Sequence, residues 1–272
     1  MSTYKPTDPL PENINRSSEH PLFTFASLLV QVVILLGVSF LILYLAGFLL
    51  AKNISMDNEY KYLNNYFVSD EKAKKGDYSD LANQLWEMST TKNNVKFNPG
   101  TLSGTPNAFI LPGGKIFLTS GFLKQTKSEN ELSFVLCHEL GHFYHRHTIN
   151  GLVTQFIVGL FHIVIGGSNS SAGLTGLAEI FVQSSYSRKQ ESEADEFALG
   201  CLNNKYQHIN GYSHFFKKIK ESDEGMHDKY FSSHPATEDR INNLKKIISD
   251  KGLSAEGELV PFKFSKEKKR SD

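Results

Sequence analysis

Residues 137–142 read Cys-His-Glu-Leu-Gly-His and lie within a stretch, residues 129–147, whose pattern predicts a helix. Since each residue turns an α-helix by about 100°, His138 and His142 lie about 40° apart on one face, one turn from each other. Two imidazoles so placed can bind one metal ion, and Glu139 beside them can reach a water on that ion without being a ligand. The stretch therefore predicts a buried metal site with a general base.

A surface helix with two ordinary histidines is the alternative interpretation of this stretch. The apolar neighbours at residues 134–136 argue against it, because Phe, Val and Leu favour burial. His145 and His147 follow closely, but no second cluster of ligands completes around them. We therefore expect them at the surface or beside the ligands, not as ligands themselves.

A third protein ligand must come from elsewhere, because catalytic zinc usually takes three and keeps one position for water. Residues 187–195 read Ser-Arg-Lys-Gln-Glu-Ser-Glu-Ala-Asp and fall on a later predicted helix. Glu191 could bind the metal, while Asp195, one turn further on, could accept a hydrogen bond from a ligand histidine and fix its tautomer. An exposed acidic helix balanced by Arg188 and Lys189 is the alternative for an isolated run.

These two motifs, with two more, resemble the membrane-associated zinc endopeptidases related to HtpX and the CAAX prenyl proteases. The further motifs are Asn107-Ala-Phe-Ile-Leu-Pro-Gly-Gly before the first helix and Ser233-His-Pro-Ala-Thr-Glu-Asp-Arg-Ile after the second. The resemblance implies a zincin-like domain with one zinc ion per chain, held by His138, His142 and Glu191, not Glu193. It also implies that Asn107 and His234 face the scissile peptide.

The chemistry expected of this set is zinc-assisted peptide hydrolysis. Glu139 would take a proton from the attacking water and pass it to the leaving amine. His234 is a candidate hydrogen-bond donor to the oxyanion, with a helix N-terminal position before Pro235 as the alternative. Asn107 is a candidate anchor for the substrate backbone, with a plain turn or strand-cap role as its alternative.

A β-hairpin is predicted ahead of the metal-binding helix. The β-prone runs at residues 107–111 and 115–119 flank Pro112-Gly-Gly, which is a turn signal. An exposed edge of that hairpin could pair with an extended substrate, so the expected partners are unfolded or extended polypeptide segments.

The remaining pattern is α+β and mainly helical. Further helices are predicted at residues 79–91, 174–202, 212–221 and 236–248. Residues 152–165 are apolar but too short to span a bilayer comfortably, so a core helix is favoured over one that dips into the membrane. With the glycine- and serine-rich loop at 166–173, this segment could cover the site. The expected divisions are a disordered tail at 1–20, a linker at 52–78, a peptidase domain at 79–252 and a basic tail at 253–272.

Residues 22–51 are predicted to form one transmembrane helix, because they contain no charged residue and the run at 28–50 is almost wholly apolar. A cleaved signal peptide is the rival, but its apolar run would be only about 7–15 residues. Lys5 and Arg16 precede the span, while Lys52 and Lys61 follow it. The bias is slight and favours a single-pass protein whose catalytic domain lies on the non-cytosolic side.

Charge and cysteine content exclude other classes. The 29 basic and 29 acidic residues leave no net field to attract nucleic acid. Cys137 and Cys201 form no Cys-x-x-Cys pair, so a cysteine-based zinc knuckle lacks ligands. Two buried thiols are the simpler expectation for this pair, and a bridge between them stays open.

Two rival functions remain at this point. A membrane-tethered chaperone or scaffold could carry a structural, non-catalytic zinc, but such a site would have no use for a base at Glu139. A prenyl-protein processing enzyme is suggested by the breadth of the family, yet this chain has one clear span where such enzymes have several. Quality control of membrane-associated proteins fits better by analogy.

Overall fold

The computed structural model describes residues 21–64, 74–75, 78–90, 95–164, 185–214, 234 and 238–262. The predicted tail at 1–20 and the loop at 166–173 lie outside the described residues, as do parts of the linker, of the helices predicted at 174–202 and 212–221, and of the basic tail. The chain divides into two units, residues 1–45 and residues 46–272. The elements are α1 (Pro21–Asn53), α2 (Met56–Leu63), β1 (Lys74–Lys75), α3 (Ser79–Ser89), β2 (Gly100–Leu102), β3 (Ala108–Leu111), β4 (Lys115–Thr119), α4 (Ser120–Gln125), α5 (Glu129–Tyr144), α6 (His147–Val164), α7 (Arg188–Tyr206) and α8 (Glu238–Asp250).

Helix α1 contains the long apolar run predicted from the sequence. Of the described helices it is the one long and apolar enough to cross a membrane, and none of its most apolar window is buried. Short helix α2 follows directly and is capped at its N-terminus by Ser55, whose side chain accepts a hydrogen bond from the Asn58 backbone N–H at 3.2 Å. Met56 and Tyr60 of α2 pack against the core. The described part of the predicted linker is therefore folded.

A small sheet lies beside the helices, with strand order β1-β2-β4-β3. Strand β2 runs parallel to β4, while β3 and β4 form the predicted antiparallel hairpin. Gly113 and Gly114 have φ of +86° and +78° in its turn, a conformation that glycine adopts without steric cost. Strands β1 and β3 are the two edge strands of this sheet among the described residues. The mainly helical α+β fold is thus confirmed.

Helix α5 forms the centre of the core, and every residue from Asn130 to Phe143 is buried. It packs against α7, and Gly141 allows the close approach: a Cβ there would lie 3.0 Å from the Cα of Ala194. A disulfide joins Cys137 of α5 to Cys201 of α7, so the expectation of two free thiols is wrong. The two helices that carry the metal-binding motifs are thereby held side by side.

Several predicted helix boundaries differ from those observed. The helix predicted at 129–147 is divided at Arg146, whose φ of +65° interrupts it, so that α6 begins at His147. Of the helix predicted at 174–202, residues 174–184 lie outside the described residues; among those described, α7 begins at Arg188, where Ser187 and Gln190 form a reciprocal capping box. Helix α6 is a core helix only in part: Ile149 and Ile157 are buried, whereas Phe156 is 53% exposed.

Candidate active site

Four buried side chains converge on one point. His138 and His142 come from α5, Glu191 comes from the first turn of α7, and His234 precedes α8; their ligand atoms all lie within 4.8 Å of one another. The Nε2 atoms of His138 and His142 are 3.1 Å apart. Each also lies 3.4 Å from an oxygen of Glu191. The structure thus brings together all three ligands suggested by the sequence motifs.

These separations match the geometry of a zinc site. A tetrahedral zinc ion with bonds of about 2.0–2.1 Å holds neighbouring ligand atoms about 3.3 Å apart. Two imidazole nitrogens and one carboxylate oxygen are also a ligand set that zinc takes in hydrolytic enzymes. The residues present therefore fit a single zinc ion.

His138 is oriented by a buried acidic partner. Its Nδ1 atom lies 3.0 Å from an oxygen of Asp195, which leaves Nε2 to face the cluster. Asp195 in turn accepts hydrogen bonds from Nε and Nη2 of Arg240, at 2.6 and 2.7 Å. Arg240 also places Nη1 2.6 Å from Glu191. One guanidinium therefore holds both the proposed ligand carboxylate and the carboxylate that orients His138.

His142 is oriented by another histidine. Its Nδ1 atom lies 3.0 Å from Nδ1 of His147, and Nε2 of His147 lies 3.0 Å from Glu193. The ring of Tyr186 stacks on His142, with ring centroids 3.7 Å apart. His147 is 4% exposed, so it lies beside the ligands and not at the surface.

Glu139 is buried beside the cluster, 3.6 Å from Nε2 of His234. Neither of its carboxylate oxygens has a hydrogen-bond partner among the described residues. Burial raises the pKa of Glu139, partly opposed by the positive charges of His234 and His138 and by the backbone N–H dipole of Ile110. A buried carboxyl group without hydrogen bonds costs stability, because nothing compensates for the loss of its hydration.

Within the cluster, the pKa values of Glu191 and His142 are lowered, whereas that of His138 is raised. Burial acts to raise the pKa of Glu191, but the charges of His234 and Arg240 outweigh it and hold that pKa well below the usual range. Burial lowers the pKa of His142 far below that of a free histidine. Burial also opposes the charge on His138, yet hydrogen bonds to Asp195 and Glu191 raise its pKa to about 9. An ionised carboxylate and a neutral His142 are the forms that bind metal.

The two residues expected to face the substrate have different surroundings. His234 is 1% exposed, and its Nδ1 atom lies 2.9 Å from Glu191 and 3.2 Å from Nε2 of His138. The backbone N–H of Thr119 donates to the carbonyl of Asn107 at 2.9 Å, and the backbone N–H of Asn107 donates to the side-chain hydroxyl of Thr119 at 2.7 Å. No hydrogen bond joins Asn107 to the cluster within the described part of the chain, and its buried Oδ1 has no partner there.

Comparison with known proteins agrees with this geometry. The family model described as Peptidase family M48 matches residues 73–248. The chain belongs to peptidase family M48. The resemblance predicted from the four motifs is therefore confirmed.

Among the M48 relatives, the chain is 29% identical over 153 residues to the metalloprotease LoiP of Escherichia coli (strain K12), covering 54% of this chain and 60% of LoiP. It is 29% identical to the mitochondrial metalloendopeptidase OMA1 of Saccharomyces cerevisiae, over 54% of this chain and 44% of that protein. Against human OMA1 the identity is 30%, over 52% and 30% of the two chains. The match thus covers less than two thirds of each relative's own length.

Three residues of this M48 site were not assigned from the sequence. Arg240 stands inside the fourth motif, but its contacts with Asp195 and Glu191 depend on how α8 packs on α7. Tyr186 precedes the second motif directly, and an aromatic residue at that place was the available signal. The sequence predicts His147 either at the surface or beside the ligands, and its contact with His142 arises because α6 begins at this residue.

Proposed function

We propose that this M48 protein is a membrane-anchored zinc metalloendopeptidase in which His138, His142 and Glu191 bind one zinc ion and Glu139 is the general base. The observation that carries the proposal is Glu139, a buried carboxyl group whose oxygens have no hydrogen-bond partner among the described residues, beside a three-ligand set that fits zinc. A purely structural site would have no need of such a group.

In this mechanism, each side chain has a distinct task. A zinc ion at the cluster would act as a Lewis acid toward water and the scissile carbonyl. Glu139 accepts the proton of the attacking water and delivers it to the leaving amine, and its raised pKa makes it a stronger base than an ordinary carboxylate. His234, 3.6 Å from Glu139, is placed to donate a hydrogen bond to the oxygen on which negative charge develops.

His147 has a positioning role in this proposal. When Nε2 of His142 faces the metal, its Nδ1 carries the proton and donates to Nδ1 of His147, which then donates from Nε2 to Glu193. Burial lowers the pKa of His147 to about 4, so the ring is neutral at pH 7 and can accept at Nδ1. Asp195 would likewise accept a hydrogen bond from Nδ1–H of His138 and leave Nε2 of that ring for the metal.

The proposed substrates are extended or unfolded polypeptide segments. The backbone N–H of Thr119 donates to the carbonyl of Asn107, and the register pairs Ala108 with Leu118 and Ile110 with Ile116. Because hydrogen-bonded and non-hydrogen-bonded pairs alternate in an antiparallel ladder, the backbone groups of Ala108 and Ile110 point away from β4, to the outer edge of β3. The Ile110 N–H dipole already acts on Glu139, so this edge borders the base. An extended peptide paired to β3 would therefore pass the catalytic carboxylate.

The membrane part of the proposal depends on α1, which is long and apolar enough to span a bilayer. The Cys137–Cys201 disulfide supports the non-cytosolic orientation of the domain, because disulfides persist in oxidising compartments. Removal of unfolded segments near a membrane would place the enzyme in protein quality control.

One observation favours the alternative, a tethered chaperone or scaffold with a non-catalytic zinc. Nδ1 of His234 is close enough to Glu191 and His138 to be a fourth ligand, and four protein ligands are typical of structural zinc. The two functions differ in the effect of His234→Ala: the catalytic site keeps zinc affinity and loses turnover, whereas a structural site loses zinc.

The test uses the full chain in detergent, as wild type, Glu139→Gln and the control Glu87→Gln, which alters an exposed glutamate paired with Lys96. Zinc content and cleavage of casein are measured for each. We expect one zinc per chain in all three and cleavage by wild type and control alone. Equal cleavage by Glu139→Gln would refute the assignment of the base, and absence of zinc from folded protein would refute the metal site.

A further inference from the structure

A buried carboxylate outside the metal cluster has a second set of partners. Glu59 lies on α2, directly after α1, and its side chain is 0% exposed. Burying a charge is costly unless it is paired and hydrogen-bonded. Burial raises the pKa of Glu59, and the charge of Arg146 opposes that shift. Because burying the carboxylate of Glu59 costs free energy, we expect this side chain to hold neighbouring elements in position.

The partners of Glu59 come from two elements that border the active site. Its Oε1 atom accepts hydrogen bonds from the backbone N–H of Gly113 at 3.0 Å and from the hydroxyl of Thr148 at 3.3 Å. Its Oε2 atom is paired with Nη1 of Arg146. Gly113 belongs to the turn of the β3–β4 hairpin, whereas Arg146 and Thr148 lie at the junction of α5 and α6.

The same turn is held from its other side. The side-chain amide of Asn64, which caps α2, donates to the carbonyl of Gly113 at 2.9 Å. A Cβ at Gly113 would lie 2.4 Å from the backbone nitrogen of Asn64. The hairpin turn therefore lies directly against the end of α2. The backbone N–H of Gly113 is hydrogen-bonded to Glu59 and its carbonyl to Asn64.

The junction is tied to the helix that precedes α2. Nη2 of Arg146 donates to the carbonyl of Ile54 at 2.7 Å, one residue beyond the end of α1. Arg146 follows His142 by four residues in the sequence and adopts the left-handed conformation that ends the metal-binding helix. A single carboxylate thus connects the segment after α1, the end of the metal-binding helix and the hairpin.

We propose that Glu59 is a positioning residue for peptide cleavage: it fixes the edge strand β3 relative to the metal-binding helix α5, so that a peptide paired to β3 is aligned with Glu139. The inference rests on the proposed function. It makes the segment directly after the apolar helix a working part of the catalytic domain.

A purely structural role for Glu59 would lower the fraction of folded protein without changing how folded protein binds substrate. A positioning role changes KM for an extended peptide at unaltered zinc affinity, since KM does not depend on the amount of active enzyme. The two roles also differ in hydrogen exchange. Loss of positioning loosens residues 107–119 locally, whereas loss of structure loosens the buried helices α5 and α7 as well.

The experiment compares the full chain in detergent as wild type, Glu59→Ala and Glu59→Gln, with Glu87→Ala as the exposed control. Zinc affinity, kinetics on an extended peptide and amide exchange by mass spectrometry are measured. We expect zinc affinity within about 2-fold of wild type and a KM raised about 10-fold in Glu59→Ala, which is the effect of losing about two backbone hydrogen bonds. Glu59→Gln retains an acceptor for Gly113 and should recover part of the loss.

Unchanged KM and unchanged exchange at residues 107–119 in Glu59→Ala would overturn the inference, as would faster exchange spread equally over α5 and α7. If Glu59→Ala does not fold, Asn64→Ala removes the other hydrogen bond to Gly113 and must show the same local exchange and a smaller rise in KM. An inactive wild type would refute the proposed function instead, and the exchange comparison would still decide whether Glu59 holds the hairpin.

Discussion

Replacing Gly141 with alanine tests whether the metal site depends on the close approach of α5 and α7. A Cβ at this position would lie 3.0 Å from Cα of Ala194 and 3.1 Å from Cβ of Phe197, closer than ordinary contacts of 3.4–4 Å. The neighbouring backbone must therefore shift by a few tenths of an ångström. Because Glu191 lies one turn before Ala194 on the same helix, that shift moves a proposed ligand away from His138 and His142.

The expected magnitudes follow from this displacement. Overpacking a core costs about 1–3 kcal/mol, and alanine regains about 1 kcal/mol over glycine inside a helix. The free energy of unfolding of zinc-free Gly141→Ala should thus fall by about 0–2 kcal/mol. Metal sites tolerate ligand displacements of only about 0.2 Å, so zinc affinity should fall about 10-fold, as it does when groups supporting a ligand are mutated.

Gly200→Ala supplies the matched control, because it lies on the same helix α7 and a Cβ there meets nothing within 4 Å. It should raise the free energy of unfolding by about 0.5–1 kcal/mol and leave zinc affinity unchanged. Thermal unfolding with a chelator present and competition for zinc with a chromophoric chelator measure the two quantities. If Gly141→Ala is stabilised like Gly200→Ala and binds zinc as tightly as wild type, the proposed dependence on helix approach is wrong.

Three other perturbations give separable outcomes. His147→Phe should lower zinc affinity about 10- to 100-fold by removing the acceptor for His142, while the neighbouring His145→Ala changes it little; equal effects in a competition titration would contradict the positioning role. Arg240→Ala should lower the free energy of unfolding of zinc-free protein by about 3–5 kcal/mol, measured in urea, because two buried carboxylates lose their cation; a change below 1 kcal/mol would exclude that account. Reduction of the Cys137–Cys201 bridge, which spans 64 residues, should lower the free energy of unfolding by about 4 kcal/mol. An unchanged Tm under reductant would show that the bridge contributes no stability.

Much of the site could be predicted because its chemistry is contained in short segments. The spacing of His138 and His142 fixes their relation on any helix, and Pro112-Gly-Gly marks the hairpin independently of the rest of the fold. Local turn chemistry likewise gives the hairpin its register. Such features depend on neighbours in sequence, so the pattern alone was sufficient.

Other contacts depend on tertiary packing and could not be read in this way. Arg240 belongs to the fourth motif, but no spacing rule shows that it pairs with Asp195, 45 residues away. Glu59 lies in a polar stretch that is typical of a linker, and its burial is created by the hairpin turn and the α5–α6 junction. The pairing of Cys137 with Cys201 likewise follows from the approach of α5 to α7.

The helix boundaries fall between these cases. The pattern at 174–202 predicts one uninterrupted helix, whereas the described residues 185–187 are not helical and the capping box of Ser187 and Gln190 marks the start of α7 at Arg188. The break between α5, which ends at Tyr144, and α6, which begins at His147, carries no such signal, because the left-handed conformation of Arg146 is not predicted by composition.

Titration of zinc into metal-free protein, with peptide cleavage followed at each addition, tests the central claim most directly. For the wild type we predict that activity rises in proportion to added zinc and stops rising at one equivalent per chain, whereas Glu139→Gln binds the same single equivalent and gains no activity. Activity that is insensitive to zinc, or a Glu139→Gln protein whose activity rises in parallel with the wild type, would contradict the assignment of a zinc-dependent peptidase with Glu139 as its base.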